Sequence, residues 1–97
     1  MRGPITVTKH CHKRFQERFE RTAPKRRVEN VAKQAQPLRR RLRRRIDRFR
    51  REAGLKKVEW KRGYEYYASP YRRAIWVVRR ECGEAVILTV WMYETGN

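Results

Sequence analysis

Ninety-seven residues with 27 Lys and Arg against 10 Asp and Glu, a formal net charge of +17, describe one small and strongly basic domain. A chain this short hides only roughly 60–65% of its unfolded surface on folding, which excludes two-domain architectures, solenoids and barrel enzymes. The 39% of hydrophobic residues sit in periodic runs and argue against disorder, and a core held under this self-repulsion points to a polyanionic partner, the competing origin of the arginines being a GC-rich or thermophilic genome.

In chain order, Ile5 to Val7 is a short β-like run ending at Thr8, a good helix N-cap. From Lys9 the period changes. Cys11, Phe15 and Phe19 recur at i, i+4 and i+8 as one apolar helical stripe. Thr22-Ala23-Pro24 closes it, because the residue before a proline is pushed out of the α region. Val28, Val31, Ala32 and Ala35 begin a second stripe, which Pro37 breaks or kinks. Leu38, Leu42, Ile46, Phe49 and Ala53 carry it on in nearly the same phase, predicting two helices in tandem, or one bent helix, ending before Gly54. Beyond Gly54 the period is two. Val58 and Trp60 alternate with charges, Arg62-Gly63 is turn-like, and Tyr64 to Ala68 is a candidate strand before Ser69-Pro70. Ala74 to Val78 and Ala85 to Tyr93 are apolar on both faces, as central strands are, with a hairpin loop at Glu81-Cys82-Gly83-Glu84. The expected fold is α+β: one domain over 1–97, helical over about 9–53 and sheet over about 56–93, its helices packed on one face of an antiparallel β-meander of three to four strands.

No stretch after Met1 is apolar enough for a signal peptide, and the longest apolar run is one strand long. The expected compartment is the cytoplasm, with no membrane. Cys11 and Cys82 lack CxxC spacing and are expected to be buried thiols in a reducing environment. The acidic residues are scattered, and a zinc site would need both cysteines to converge with His10 and His12; no metal or other cofactor is expected. No Gly-rich phosphate loop, Ser/His/Asp set or HExxH motif is present.

Three groups of residues are suited to chemistry. On the helix from Lys9, at about 100° per residue, His10, Arg14, Glu17 and Arg21 share a stripe, with Arg18 on its border with the apolar one. An imidazole to move protons and guanidinium forks to hold phosphoryl oxygens suit a phosphate-directed site. His12 lies about 200° round from His10 and cannot join it. The competing reading is a solvated face with a Glu17/Arg21 pair. Second, Leu38 to Arg51 holds nine Arg and one Asp, a net +8 over 14 residues. Like charges such as Arg39/Arg43 and Arg40/Arg44 at i,i+4 cost about a few tenths of a kcal/mol per pair. Phosphates relieve that cost and release counterions on contact. Arginine-rich helices that enter RNA grooves have this composition, though it encodes no sequence specificity and a merely soluble face competes. Third, Tyr64, Tyr66, Tyr67, Tyr71 and Trp76 interleave with Lys61, Arg62, Arg72, Arg73, Arg79 and Arg80. On the last strand Ile87, Thr89, Trp91 and Tyr93 share one face, and Val86, Leu88, Val90 and Met92 the other. If the second set packs on the helices, the first is a base-stacking platform, the competing reading being core or edge cover.

Ile5-Thr6-Val7-Thr8-Lys9-His10, with Arg14, Glu17, Arg18 and Phe19, resembles the "ITxTxHAxxRxxER" opening of small phage and bacterial proteins. Val28 to Ala35 resembles their Ala-rich second helix. Ile75 to Val90, with Gly83 ahead of Ala85-Val86-Ile87-Leu88-Thr89-Val90, resembles their closing hairpin. The resemblance covers about half the chain and implies a fold like the RelE/BrnT toxins, within the barnase–EndoU–colicin–RelE group of metal-independent ribonucleases, which cleave RNA by attack of the 2′-OH on the adjacent phosphate. By motif position it implies His10, Arg14 and Arg18 as active-site residues and Thr89 as the final-strand threonine. The arginine run and the segment from Trp91 to Asn97 depart from the pattern.

The combined expectation is a phage-encoded or toxin-like RNA-binding protein acting as a metal-independent ribonuclease. His10 would deprotonate the 2′-OH, and Arg14 and Arg18 would stabilise the phosphorane. Arg39, Arg40, Arg43, Arg44, Arg48 and Arg51, with Lys61, Arg62, Arg72, Arg73, Tyr66, Thr89 and Trp91, would hold nucleic acid, whether RNA or DNA. No leaving-group acid stands out among Glu17, Lys61 and Tyr66. One alternative is a non-catalytic nucleic-acid binder working through the arginine helix. Another is a phage inhibitor docking on a host protein or nucleoprotein such as polymerase or a CRISPR effector. An acidic antitoxin is a further expected partner.

Overall fold

Both ends of the fold meet on one strand pair. In the computed structural model, which describes residues 1–94, β1 (Ile5–Val7) runs parallel to β5 (Glu84–Met92), with Ile5 opposite Ala85 and Val7 opposite Ile87. The domain expected over 1–97 thus includes three residues, 95–97, outside the described ones. Thr8 ends β1 and caps α1 (Lys9–Arg18): its hydroxyl accepts from the Cys11 N–H at 3.1 Å and points its own proton at the carbonyls of Ile87 (2.9 Å) and Leu88 (3.2 Å). The predicted cap therefore also ties the helix to the last strand.

The apolar stripe of α1 turns inward as its spacing requires. Cys11 and Phe15 are fully buried, and Phe15 stacks on Phe19 (5.1 Å between centroids) and Trp76 (5.9 Å). α2 (Lys25–Lys33) starts after Pro24 and adds Val28, Val31 and Ala32 to the same core. The break at Pro37 separates two helices. Gln36 and Pro37 form a two-residue edge strand, β2, opposite Ala68 and Tyr67, a position where proline's missing donor costs no ladder bond. α3 (Arg40–Glu52) follows.

The sheet is completed by β3 (Glu65–Ser69) and β4 (Ala74–Glu81), in the order β1-β5-β4-β3-β2. The α+β class holds, but the sheet has five strands and is mixed, since short strands at both edges extend the antiparallel β3-β4-β5 meander. The two-residue turn Cys82-Gly83 has positive φ at both positions (49° and 80°), as a tight hairpin demands, and leaves Cys82 exposed at its tip, not buried as expected.

A second correction concerns the helices. They do not all pack on one face. All five residues of β4 from Ala74 to Val78 are buried, so both sheet faces need cover. α1 and α2 cover the face of Trp76, Val78 and Ile87. The opposite face carries Tyr66, Val77 and Thr89 in one cross-strand row and Ala68, Ile75 and Trp91 in the next. There α3 and the loop after it supply the cover: Ile46 is 1% exposed, and Trp60 packs on Tyr66 and Trp91. The alternation at Val58 and Trp60 is thus no strand; this stretch crosses the sheet as irregular chain.

Two local reversals accompany this. β5 contains a bulge: Val77 faces Thr89 but Val78 faces Ile87, leaving Leu88 unpaired. Ile87 and Val90 therefore share the α1 face, and Thr89 and Trp91 share the α3 face. On α3 the buried line runs through Ile46 and Arg50, so Phe49 (37% exposed) and Ala53, expected to continue the apolar stripe, lie outside it. Arg50 is only 8% exposed: its stem lies inside, its Nε–H donates to the Lys56 carbonyl at 2.9 Å, and its guanidinium lies 6.0 Å from the Trp91 ring centre. Among the described residues no helix is long and apolar enough to cross a membrane.

Candidate nucleic-acid interface

Three possible sites were expected, and the fold separates them. His10 is exposed in the first turn of α1. Arg14 and Glu17, one helical step along, bind each other at 2.8 Å. Arg18 turns away to donate to the Val90 carbonyl at 2.8 Å, bracing the strand just past the bulge. Burial, with the charge of Arg14 second and Glu17 opposing, lowers the proton affinity of Arg18. His12 and Gln16 both donate to the Ala23 carbonyl, at 2.8 and 2.9 Å, and hold the turn between the helices. In the candidate acid–base set Arg14 and Glu17 are thus occupied by one another, and Arg18 by the sheet. The other leaving-group candidates, Lys61 and Tyr66, belong to the α3 side of the sheet, two layers from His10.

The sheet aromatics form no open platform. Trp60 meets Tyr66 edge-on at 5.0 Å and Trp91 at 6.0 Å, and donates its indole N–H to Asp47 at 2.9 Å. Arg43 lies over the outer face of Trp60, 5.0 Å from its centroid. Tyr66 accepts at its hydroxyl from the Lys61 backbone N–H. Thr89 is half-buried under the same cover, while Lys61 and Arg62 stay exposed in the loop. Arg72 and Arg73 hold left-handed backbone angles (φ 46° and 54°). Arg72 donates to the Phe19 carbonyl that ends α1, and Arg73 pairs with Glu94.

The arginine helix is the group that remains open. Arg40, Arg41, Arg44, Arg45, Arg48 and Arg51 are exposed and, with Asp47, line one groove. Arg39 precedes the helix and lines a second groove with Gln36, Pro37 and Leu42. Among the described residues the ion pairs are Arg14–Glu17, Arg27–Glu20, Arg73–Glu94, Arg79–Glu81 and Arg80–Glu65, none of which involves α3. The helix is also poorly terminated for a peptide alone. Arg39 offers no side-chain cap, and the first turn carries no acid against its free N–H groups. Local electrostatics thus leave α3 with unmet cationic and N-terminal donors on one outward face, the arrangement a row of phosphates satisfies.

Arg41 and Arg45 belong to this face although the stripe pattern singled out only their neighbours; a helical wheel centred on Ile46 places them with Arg44 and Arg48. Among the described residues no group of three or more His, Cys, Asp or Glu comes together to hold a metal ion. No family model matches the chain, and neither a curated protein nor a solved structure matches it.

Proposed function

We propose that the protein binds nucleic acid, RNA in the first instance, through the outward face of α3. The observation that carries this reading is the set of seven exposed arginines from Arg40 to Arg51, six of them lining one groove, that no carboxylate of the described chain pairs with. Had these guanidiniums been folded against the ten acids of the chain, the unmet charge would lie elsewhere on the surface and α3 would offer no cationic face. The proposal includes a RelE-like architecture and a cytoplasmic, toxin-like or phage setting; the opening motif and the closing hairpin support it. It assigns no bond-breaking step, because Arg14, Glu17 and Arg18 each have a partner within the fold and His10 lies across the sheet from the cationic face. The test is binding of labelled RNA across a salt series in EDTA. Affinity falls steeply with salt, with a log–log slope of about −0.7 per phosphate neutralised on a single strand, and Arg40→Ala with Arg44→Ala flattens it by about one unit or more. Salt-insensitive binding, or none at low salt, overturns the reading. Cleavage of the bound RNA that disappears in His10→Ala would restore the ribonuclease.

A further inference from the structure

Phe49 is the one large hydrophobic residue exposed among those described, and it stands beside the cationic face. It lines a groove of about 190 Å³ with Tyr93, Arg45, Arg48, Ile46, Glu52 and Glu94. Arg45 and Arg48 also line the outer arginine groove. Tyr93 also lines the groove of Pro37, Leu42, Pro70 and Arg39 on the far side. Shared lining residues set the three side by side as a track: guanidiniums, two aromatic side chains, and an apolar patch with one more guanidinium.

We infer that this track is a single-strand binding path, with one or two unpaired bases stacked on Phe49 and Tyr93 and the neighbouring phosphates on Arg45, Arg48 and Arg39. The inference rests on the nucleic-acid reading above and adds the form of the ligand. Stacking uses a base's π-face, which a duplex hides inside itself and a single strand presents. Charge complementarity selects this occupant over an apolar peptide, since the rings are flanked by cations that phosphates satisfy. The carboxylates at the same rim fit too: Glu94 is already paired with Arg73, and Glu52 would accept from the exocyclic amine of a base such as cytosine. Phe49 thus does outside the core what the covered Trp60 and Trp91 cannot do from within it.

The experiment compares wild type, Phe49→Leu, Phe49→Trp and Arg40→Ala/Arg44→Ala, whose two arginines line only the outer groove, on a single-stranded RNA carrying 2-aminopurine and on its duplex. Wild type is expected to bind the single strand more tightly and to quench the 2-aminopurine. Phe49→Leu keeps apolar bulk but lacks a π-face; it loses the quenching and weakens single-strand binding roughly tenfold, with duplex affinity unchanged. Phe49→Trp retains both. The double arginine variant weakens both ligands, which separates the track from the charge. Equal behaviour of Phe49→Leu and wild type on the single strand overturns the inference while leaving the cationic face standing, whereas failure of wild type to bind either RNA sinks the parent reading as well. Self-association that Phe49→Leu abolishes assigns the patch to a second copy of the chain and also overturns it.

Discussion

The two faces of the sheet are covered by different physics. On the Trp76 side, α1 and α2 bury Phe15, Val28, Ala32 and Ile87 completely, an apolar interior with stacked rings. On the Trp91 side, α3 contributes one fully buried aliphatic residue, Ile46, and otherwise holds on through an indole N–H to Asp47, a guanidinium to the Lys56 carbonyl, and cations over Trp60 and Trp91. Apolar burial supplies most folding free energy, while cation–π contacts at half-exposed sites contribute about 0.5–1 kcal/mol each. The first face holds the fold, and the second carries charge on it at modest cost.

That contrast can be broken or sharpened by experiment. Phe15→Ala removes a fully buried ring and costs about 3–5 kcal/mol, enough to unfold a domain this small; denaturant unfolding should show no native baseline. Ile46→Ala costs about 2–5 kcal/mol at its site, but the loss is expected to stay local: amide exchange accelerates in α3 while β4 and α1 remain protected. Equal loss of protection on both sides would mean that the faces form one cooperative unit. Thr8→Ala leaves the Cys11 N–H uncapped and loosens β5, lowering stability by about 1 kcal/mol, and Thr8→Ser should recover most of it. Arg44→Ala, in contrast, should shift thermal stability by no more than about 0.5 kcal/mol, and upward if repulsion along α3 governs it.

Burial pushes the Cys11 thiol up from 9.0 to about 12, so the folded state keeps a proton that the unfolded chain releases. Its contribution is whole below about 9 and fades as pH rises toward about 12. Cys11→Ala should flatten that alkaline limb in a melting series. At neutral pH a thiol reagent should modify the exposed Cys82 at once and Cys11 only on opening.

What could be foreseen from residues alone follows the same division. The cap at Thr8, the stripe of Cys11, Phe15 and Phe19, and the Cys82-Gly83 hairpin are local signals, written within a few residues of where they act. The side taken by α3 is not local. A stripe states that a helix has an inner line but not which sheet face receives it, and here charged Arg50 fills that line where Phe49 was expected. Trp60 misled for a related reason: a large ring alternating with charges suits a strand and equally suits a loop laid over other rings. The open arginine face was visible in composition. Its adjacency to Phe49 and Tyr93 was not, because Tyr93 arrives from the far end of the chain.

The bulge at Leu88 makes β5 sensitive to residue count in a way that substitutions would never reveal. With Leu88 removed, Ile87 and Thr89 become neighbours opposite Val78 and Val77, so the bulge closes and every later side chain keeps its face, Val90 toward α1 and Trp91 beneath α3. Removing a second residue would invert that parity, driving Trp91 toward the α1 face and stranding Val90 beneath α3, so the single deletion should be better tolerated than the double one. An odd-even rhythm in a deletion series would thus locate this one unpaired residue without any coordinates.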